Sequence, residues 1–563
     1  MGDLGAGGWG GGGAPPTAAA APDAATAAHH AVHRVLAALQ DWLADERLAD
    51  TRLVVLTRGA VAPATGTAPD PALAAVWGLV ASAQSEHPGR VRLVDLDGLD
   101  GLDASRSALV DAVAGDAAQV AVRDGALLVP RLARLTAAPG GGTGWRTDGT
   151  VLVTGGLGTL GRLVTRHLVV THGVRRLVVV SRSGASGADA AAFVRELRTE
   201  GADVQVVTGD VGDRAVLAGA LASIPAEHPL TAVVHLAGVL DDGLLADQTP
   251  ERVDRVLRPK ADGAWHLHEL TAGTDVAFVA FSSVSSVLGP AGQAGYAAAN
   301  AFVDALMAAR GDAGLTGVSL GWGLWESRSD LTAGLDEGDL RRMARSGVKP
   351  LADDQGLALL DLARATGEPV VFPLRLDTTG LRGGPGGGDV PPLLRGLAAV
   401  PVRRATVAAA DTGTEPDGDA LATRLAQLPE GEQDALLLDL VRTHVAAVLG
   451  YDDPRAVGER RPFADIGFDS LRALQLRNRL GGATALRLSP TLVFDYPTPQ
   501  ALGQHLRTLL LPDAPSAGSP NGPDAAPDAA GAPVPQQGDA VPDRLRSASR
   551  EEVFDYIDNL LGE

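Results

Sequence analysis

The chain has 563 residues, of which 68 are acidic and 48 basic, so its formal net charge is −20. The acidic excess argues against a phosphate-seeking surface for nucleic acid, and no apolar run reaches the roughly 18 residues that a membrane span needs. The sequence contains no cysteine, which excludes disulfides, thiolate metal sites and a cysteine nucleophile. We therefore expect a soluble cytoplasmic protein without a metal centre.

Glycine and proline cluster in three stretches where hydrophobic periodicity disappears, residues 1–28, 380–418 and 512–543. These stretches are expected to be linkers or tails. Because a single hydrophobic core rarely grows beyond about 250–300 residues, a chain of this length predicts several folded units. We expect at least three.

Residues 29–137 alternate helix-like and strand-like segments, with strands near residues 52–56, 92–96 and 118–122. They contain no glycine fingerprint and no catalytic set of side chains. The pattern predicts an α/β unit without chemistry of its own.

Residues 150–326 alternate in the manner of a parallel, doubly wound sheet. The apolar strand Thr150–Thr154 leads into a glycine-rich turn and then an amphipathic stretch, which is the context of a dinucleotide-binding loop. A glycine turn can also be a bare structural connection, and that alternative stays open. In the functional interpretation Gly155 or Gly156 permits the tight turn, Gly158 lets the backbone approach a pyrophosphate, and Gly161 lets helix and strand pack closely. Thr154 and Leu160 complete the predicted loop contacts.

The next strand ends in Ser181 and Arg182, where a site for NAD would usually place an acidic residue. Arg182 favours a ribose 2′-phosphate and therefore NADPH, although it could be a solvated loop arginine. Two later strand ends complete the expected cofactor site. Their residues are Asp210 and Val211 beside the adenine, and Ala237 and Gly238 beneath the cofactor.

Lys260, Ser283, Tyr296 and Asn300 form the candidate reducing centre. Tyr296 and Asn300 stand one turn apart on a predicted helix, and Ser283 follows a strand. Ketone reduction needs a proton donor, and a tyrosine can serve if a neighbouring cation, here Lys260, lowers its pKa. Ser283 would hold the carbonyl oxygen, and Asn300 would position a water or the lysine. The alternative is a tyrosine packed in a core helix.

This region resembles the ketoreductase domain of modular type I polyketide synthases, an extended short-chain dehydrogenase/reductase. The lysine precedes the serine and tyrosine and the asparagine follows the tyrosine, as in that family. Within the family, Leu240, Asp241 and Asp242 resemble the stereocontrol marker of B-type reductases. Together with Ala298 and the absence of the A-type tryptophan, they imply the B1 type, a 3R-type hydroxyl and no epimerisation. Ala291 and Gly295 depart from the B-type pattern.

By the same resemblance, residues 29–147 are the structural reductase subdomain, and Ser327–Val348 form a lid over the substrate cleft. A surface helix without a gating role is the alternative for the lid. The family's structural half begins with a further strand and helix, which the Gly/Ala/Pro tract of residues 1–28 is not expected to build. The structural subdomain is therefore predicted to be incomplete.

After the linker, three amphipathic stretches predict a small helical bundle, with Ser470 in the segment Gly467–Leu471 at the start of one helix. Asp469 and Ser470 could be capping residues, or Ser470 could carry a phosphate-linked group at the helix N-terminus. The physical argument favours neither the capping role nor the attachment role. About 70 residues from Leu436 onward resemble polyketide acyl carrier proteins, which implies 4′-phosphopantetheine on Ser470 and an acyl chain tethered to this domain.

The last segment, Asp543–Glu563, is predicted to be an amphipathic helix. It resembles the C-terminal docking segment of polyketide synthase subunits, which implies a downstream subunit or a thioesterase as partner. A short helix beyond a linker can also fray without any partner.

The prediction as a whole is an NADPH-dependent β-ketoacyl reductase of doubly wound Rossmann type, with a partial structural subdomain, joined to an all-α carrier domain. A phosphopantetheinyl transferase would charge Ser470, and the ketosynthase and acyltransferase would lie on other sequence. The alternatives are a carrier and docking module whose reductase is only a scaffold, and a free-standing reductase acting on soluble ketones. The predicted segments are 1–28 (disordered tract), 29–147 (structural subdomain), 148–380 (catalytic subdomain), 381–420 (linker), 421–511 (carrier), 512–542 (disordered linker) and 543–563 (docking helix).

Overall fold

The computed structural model describes nine stretches of the chain. These are residues 23–63, 67–97, 102–135, 144–327, 347–377, 392–397, 418–451, 453–489 and 491–511. The predicted docking helix, most of the predicted lid, most of the predicted linker 381–420 and all of the predicted linker 512–542 lie outside them. Among the described residues, no helix is long and apolar enough to cross a membrane.

The N-terminal subdomain is a small α/β unit built on a four-stranded sheet, with its strands in the order β1-β2-β3-β4. The first three strands are parallel, and β4 runs antiparallel to β3. Its elements in chain order are α1 (Ala24–Ala44), β1 (Leu53–Arg58), α2 (Pro71–Glu86), β2 (Val91–Leu96), α3 (Leu102–Ala114), β3 (Gln119–Arg123) and β4 (Ala126–Leu128).

Helix α1 begins inside the tract that was expected to lack regular structure, so that prediction is wrong for residues 24–28. Asp23 caps the helix by accepting a hydrogen bond from the backbone N–H of Thr26 at 2.8 Å. Ala25 and Ala28 are buried, at 3% and 0% exposure. Alanine has the highest intrinsic helix propensity, so a capped, alanine-rich segment with one buried face folds as a helix here.

The catalytic subdomain contains a seven-stranded sheet whose strands are all parallel, in the order β12-β10-β9-β8-β5-β6-β7. Counted from β5, this is the doubly wound order with its switch point between β5 and β8. Its strands are β5 (Thr150–Thr154), β6 (Arg176–Ser181), β7 (Asp203–Thr208), β8 (Leu230–His235), β9 (Ala277–Ser283), β10 (Gly317–Trp322) and β12 (Val370–Val371), and a separate antiparallel pair is formed by β11 (Val348–Lys349) and β13 (Arg375–Leu376).

Helices cover both faces of this sheet. They are α4 (Thr159–Val170), α5 (Ala188–Thr199), α6 (Arg214–Ala222), α7 (Pro250–Leu257), α8 (Gly263–Leu270), α9 (Ser285–Leu288), α10 (Ala294–Asp312) and α11 (Asp353–Arg364). Every residue of β5 is buried, as expected for a central strand covered on both faces. The predicted doubly wound fold is confirmed.

The two subdomains meet where α2 packs directly on α10. A Cβ placed on Gly78 would lie 2.3 Å from the backbone oxygen of Ala297, so only glycine permits this approach of the two helices. The hydroxyl of Ser82 on α2 donates to the carbonyl of Pro290 at 2.7 Å, in the loop before α10. The N-terminal subdomain therefore supports the helix that carries Tyr296.

The carrier domain is a helical bundle with its own hydrophobic core. Its helices are α12 (Gly418–Ala426), α13 (Glu430–Leu449), α14 (Ser470–Thr484), α15 (Leu492–Asp495) and α16 (Pro499–Leu510). The core includes Leu437, Val441, Leu476, Leu480 and Leu506, each with 0% exposure. This arrangement confirms the predicted all-α unit after the linker.

Candidate active site and carrier serine

The glycine-rich loop has the geometry of a phosphate-binding turn. Gly155 has φ +70°, a conformation that favours glycine, and its N–H donates to the Val180 carbonyl at 3.0 Å. A Cβ on Gly161 would lie 2.1 Å from the Gly155 oxygen, so Gly161 lets α4 pack against the turn. Gly158 is exposed and caps α4 without any side-chain hydrogen bond. The first amides of α4 are therefore open to an anionic group such as a pyrophosphate.

Thr154 and Leu160 support the loop from within the fold. The Thr154 hydroxyl is hydrogen-bonded to His235 Nδ1 at 2.8 Å and accepts from the N–H of Ala237 at 3.4 Å. Leu160 packs against the hydrophobic core of the sheet. The structure thus gives both residues a positioning role, and their predicted contact with a cofactor stays a prediction. Gly156 packs in the same way, since a Cβ there would lie 2.9 Å from Val153.

The other predicted cofactor residues follow the carboxyl ends of β6, β7 and β8, along one edge of the sheet. Arg182 is exposed just after Ser181, and it makes no hydrogen bond or ion pair with any other described residue. Asp210 accepts from the N–H of Gly212 at 2.9 Å, and Val211 is buried at 4% exposure. A free arginine beside open helix amides fits a phosphorylated nucleotide.

Ala237 and Gly238 connect this edge to Lys260. A Cβ on Gly238 would lie 3.0 Å from Lys260 Cε, so the backbone passes directly over the lysine side chain. Lys260 lies in a π-helical turn, Arg258–Asp262, and is 4% exposed. Its Nζ donates to the Phe281 carbonyl at 2.7 Å, and burial lowers its pKa to about 8.

Tyr296 lies in the first turn of α10, between Ser283 at the end of β9 and Asn300 one turn further along. Burial raises the pKa of Tyr296, while hydrogen bonds with the side chains of Ser283 and Asn300 act in the opposite direction. The Asn300 amide also donates to the Tyr296 carbonyl at 2.8 Å. The structure thus places three of the four predicted groups close together.

The expectation that Lys260 lowers the pKa of Tyr296 is wrong for this structure, in which the pKa of Tyr296 is raised. Burial dominates, and the Lys260 ammonium bonds to the Phe281 carbonyl instead. A raised pKa keeps the phenol protonated at neutral pH, and a protonated phenol is the state from which a proton can be donated.

Sequence reasoning missed two buried titratable groups near Lys260. His235 Nε2 lies 3.1 Å from the Lys260 carbonyl, and burial lowers the pKa of His235 to about 3, so its imidazole is neutral. Asp304 accepts from the Ser319 hydroxyl at 2.5 Å, and burial raises the pKa of Asp304 to about 6. A histidine at a strand end and an aspartate inside a helix carry no distinctive sequence signal.

The predicted stereocontrol segment, residues 240–242, contacts the loop before α10. The Asp242 carboxylate accepts from the Gln293 amide at 2.8 Å, three residues before Tyr296. Asp241 pairs with Arg252 at 2.8 Å and with Arg255. Asp241 therefore anchors the segment on α7, while Asp242 reaches the active-site side.

Glu86, the last residue of α2, is a further functional candidate that the sequence did not reveal. It is 1% exposed, and its carboxylate accepts from the N–H of Leu245 at 2.8 Å and from that of Gly292 at 3.0 Å. Burial raises the pKa of Glu86. One buried carboxylate thus joins the segment after Asp242 to the loop before α10.

A histidine cluster fastens α1 to the helices around Lys260. His29 Nδ1 lies 2.5 Å from Asp254, and His29 Nε2 lies 2.9 Å from Asp262 in the π-helical turn. His33 Nε2 is 2.7 Å from Asp254. Burial acts to lower the pKa of His29, but the hydrogen bonds and charges of Asp262 and then Asp254 outweigh it, and the net pKa is raised. Only imidazolium can donate from both ring nitrogens, so the cluster is a charged clamp.

We expect His29→Asn to destabilise the protein most at low pH. Because the folded-state pKa of His29 lies above its ordinary value of 6.5, the stabilisation is fully present below about pH 6.5 and is lost as pH rises through the raised pKa. At pH 6 the variant should lose about 1.5–3 kcal/mol, the usual contribution of hydrogen bonds to charged groups. Urea unfolding across a pH series measures the difference. His30→Asn, an exposed neighbour on α1, is the matched control, and a difference that grows with pH would contradict the clamp.

In the carrier domain, Asp469 and Ser470 have different roles at the start of α14. Asp469 is the N-cap of α14, and its carboxylate accepts from the N–H of Arg472 at 2.7 Å. Ser470 is the first residue of the helix and is exposed, and its hydroxyl has no hydrogen-bond partner among the described residues. Since Asp469 performs the capping, the hydroxyl of Ser470 is available for modification.

These features define a nucleotide-dependent ketoreductase joined to a carrier domain. Three families match the chain: the KR domain over residues 149–327, the Rossmann fold domain of the polyketide synthase extender module SpnB over residues 5–132, and the phosphopantetheine attachment site over residues 439–506. The chain belongs to the modular type I polyketide synthases and corresponds to the C-terminal ketoreductase and carrier part of a module. The matches also support the two predicted cofactors, NADPH and 4′-phosphopantetheine.

Curated relatives are much longer than this chain. The spectinabilin polyketide synthase system protein NorA of Streptomyces orinoci is 64% identical over 539 residues, which is 95% of this chain and 27% of that protein. Polyketide synthase GfsE of Streptomyces halstedii is 50% identical over 502 residues, which is 88% of this chain and 12% of that protein. The chain thus spans about a quarter or less of these relatives.

Solved ketoreductase structures share the fold. The structure of an A1-type ketoreductase is 36% identical, with a TM-score of 0.59, and the match covers 67% of this chain and 81% of that one. The first ketoreductase of the tylosin synthase is 35% identical, with a TM-score of 0.55, over 61% of this chain and 74% of that one. The SpnB match begins at residue 5, so the family region includes most of the tract that was predicted to lie outside the fold.

Proposed function

We propose that this chain reduces a 3-oxoacyl thioester, tethered to its own Ser470, to the 3-hydroxyacyl thioester with NADPH as the hydride donor. The observation that carries the proposal is the placement of Ser283 at the end of β9 and of Tyr296 and Asn300 one turn apart in the first turns of α10, beside the buried Lys260. An exposed Ser470 whose hydroxyl has no partner among the described residues supports a tethered substrate.

When bound, NADPH supplies the hydride that the ketone carbon accepts. The chain's own groups handle the oxygen: Ser283 donates a hydrogen bond to the carbonyl oxygen, and Tyr296 gives its phenolic proton to that oxygen as negative charge develops there. Asn300 binds the Tyr296 carbonyl and Lys260 binds the Phe281 carbonyl. Together they return a proton to Tyr296 through solvent. Because the buried phenol is protonated at neutral pH, no earlier proton uptake is needed.

Arg182 supports NADPH rather than NADH. Its guanidinium is exposed at the end of β6 and unpaired among the described residues, which suits a 2′-phosphate. The segment 240–242 supports a B1-type outcome, a 3R-type hydroxyl without epimerisation. The Asp242 contact with Gln293 puts this segment beside the loop that leads to Tyr296.

A carrier domain needs partner proteins that charge it, load it and receive its product. A phosphopantetheinyl transferase charges Ser470, an upstream ketosynthase and acyltransferase supply the 3-oxoacyl chain, and a downstream subunit or thioesterase receives the product. The segment 543–563 is the proposed docking helix for that downstream partner.

The test is reduction of a 2-methyl-3-oxoacyl N-acetylcysteamine thioester with either nucleotide, followed by chiral analysis of the alcohol. We expect turnover with NADPH, a strong preference over NADH, and the 3R-type product. Arg182→Ala should raise KM for NADPH by about tenfold, since a charge-assisted contact is lost, and leave KM for NADH nearly unchanged. Arg195→Ala, at an exposed position on α5, is the matched control. Equal use of both nucleotides or a 3S-type product would refute the corresponding part of the proposal.

A further inference from the structure

Helix α14 of the carrier lies against the C-terminal end of α2 in the reductase. Arg477 donates from Nη2 to the Glu86 carbonyl at 3.0 Å, and the Asn478 amide donates to the same carbonyl at 3.1 Å. The last carbonyls of a helix have no partner within that helix and carry partial negative charge, so a cation and an amide satisfy them. The exposed pair of Arg487 and Asp50 also joins the two domains.

Helix α14 also makes an apolar contact with the reductase next to Ser470. Leu471, Leu474 and Asn478 are spaced so that they share one face of α14. Leu474 is only 8% exposed. A Cβ on Gly292 would lie 3.7 Å from both methyl groups of Leu471, so the residue after Ser470 touches the loop before α10. Ser470 is thus next in the chain to a residue that contacts the loop four residues before Tyr296.

Glu86 connects the docked carrier to that loop. Its carbonyl binds Arg477, while its buried carboxylate holds the N–H groups of Leu245 and Gly292. The nearby Arg477 charge offsets part of the burial that raises the pKa of Glu86. Gly292 is followed by Gln293, which binds Asp242.

We infer that the C-terminal end of α2 is the docking site for the chain's own carrier domain, recognised by Arg477 and Asn478, and that this contact brings Ser470 to the loop before α10. This inference rests on the proposed function, because it concerns delivery of the tethered 3-oxoacyl chain. It assigns a delivery role to the N-terminal subdomain.

Crosslinking of the full chain tests the contact directly. Since the chain has no cysteine, Ser85→Cys with Asn478→Cys creates the only thiol pair, and these positions are in contact through a 3.5 Å hydrogen bond. A short bis-maleimide should join them rapidly within one chain. Ser85→Cys with Arg455→Cys is the matched control, because Arg455 is exposed on the carrier and its side chain has no partner among the described residues.

Kinetics of the full chain test whether the contact delivers the tethered substrate to the reductase. Arg477→Glu should slow single-turnover reduction of a 3-oxoacyl chain loaded on Ser470 by about tenfold or more, because a charge-assisted hydrogen bond is lost and a repulsion replaces it. Turnover of the soluble N-acetylcysteamine thioester should not change. Arg455→Glu makes the same charge change elsewhere on the carrier and should leave both rates as in the wild type.

The outcomes separate this inference from the proposed function. Rapid crosslinking together with a selective loss of tethered reduction supports it. Equal crosslinking in both cysteine pairs, or an Arg477→Glu chain that reduces its tethered substrate at the wild-type rate, overturns it. A loss of soluble turnover in Arg477→Glu also overturns it, because Arg477 would then act on the reductase itself. If the wild type reduces neither substrate, the proposed function fails.

Discussion

Replacing Tyr296 with phenylalanine is expected to lower the rate of ketone reduction by between about 100-fold and 10,000-fold, the usual contribution of a positioned general acid. The substitution removes one hydroxyl and leaves the ring, so the packing of α10 on α2 should persist. The phenol lies near Ser283 and Asn300, and its raised pKa keeps the proton in place until the alkoxide forms. NADPH oxidation with a soluble 3-oxoacyl thioester measures the effect.

Two controls make the Tyr296→Phe result specific. NADPH binding, followed by its fluorescence, should be close to that of the wild type, because Tyr296 is not among the proposed nucleotide contacts. Tyr451→Phe, which removes a phenol from the carrier domain, should reduce the soluble thioester normally. A Tyr296→Phe chain that binds NADPH and keeps more than about a tenth of the wild-type rate would show that another group donates the proton.

Ser470→Ala is expected to abolish both charging by a phosphopantetheinyl transferase and reduction of any tethered chain. The expected loss is complete, because the substitution removes the oxygen to which the arm would be attached. Asp469 caps α14 through its own carboxylate, so the helix should keep its start without the serine hydroxyl. Intact-protein mass spectrometry after incubation with the transferase and coenzyme A measures the modification.

The soluble assay separates carrier loss from reductase loss. Ser470→Ala should turn over the soluble 3-oxoacyl thioester at the wild-type rate, since Ser470 lies in a domain with its own core. Ser489→Ala, which removes another exposed hydroxyl from the carrier, should be charged normally. Persistent charging of Ser470→Ala would place the arm on another residue and would remove the argument for tethering at this position.

The sequence predicted those features that local spacing determines. Strand, glycine turn and helix in succession placed Gly155–Gly161 correctly in the fold, and the one-turn spacing of Tyr296 and Asn300 placed both on α10. The parallel sheet followed from the alternation of apolar runs with amphipathic stretches. Each of these signals is local in the chain, so no knowledge of tertiary contacts was needed.

Features that depend on distant contacts were not predictable. Glu86 at a helix end has the sequence character of an exposed residue, and its burial results from packing against Leu245 and Gly292, which lie 159 and 206 positions away in the chain. The pKa of Tyr296 was mispredicted for a similar reason, because burial and the Phe281 carbonyl that binds Lys260 are set by the assembled fold. The start of α1 at Ala24 was missed because a Gly/Ala/Pro-rich composition masked a capped, alanine-rich helix.

The most direct test of the central claim is the mass of the intact chain before and after NADPH is added to protein whose Ser470 carries a 3-oxoacyl phosphopantetheine arm. Reduction of a tethered ketone predicts a gain of two hydrogen masses on that arm, dependent on NADPH and absent in charged Tyr296→Phe. An arm whose mass does not change, in a sample that still reduces the soluble thioester, would contradict the account and show a reductase that does not act on its own carrier.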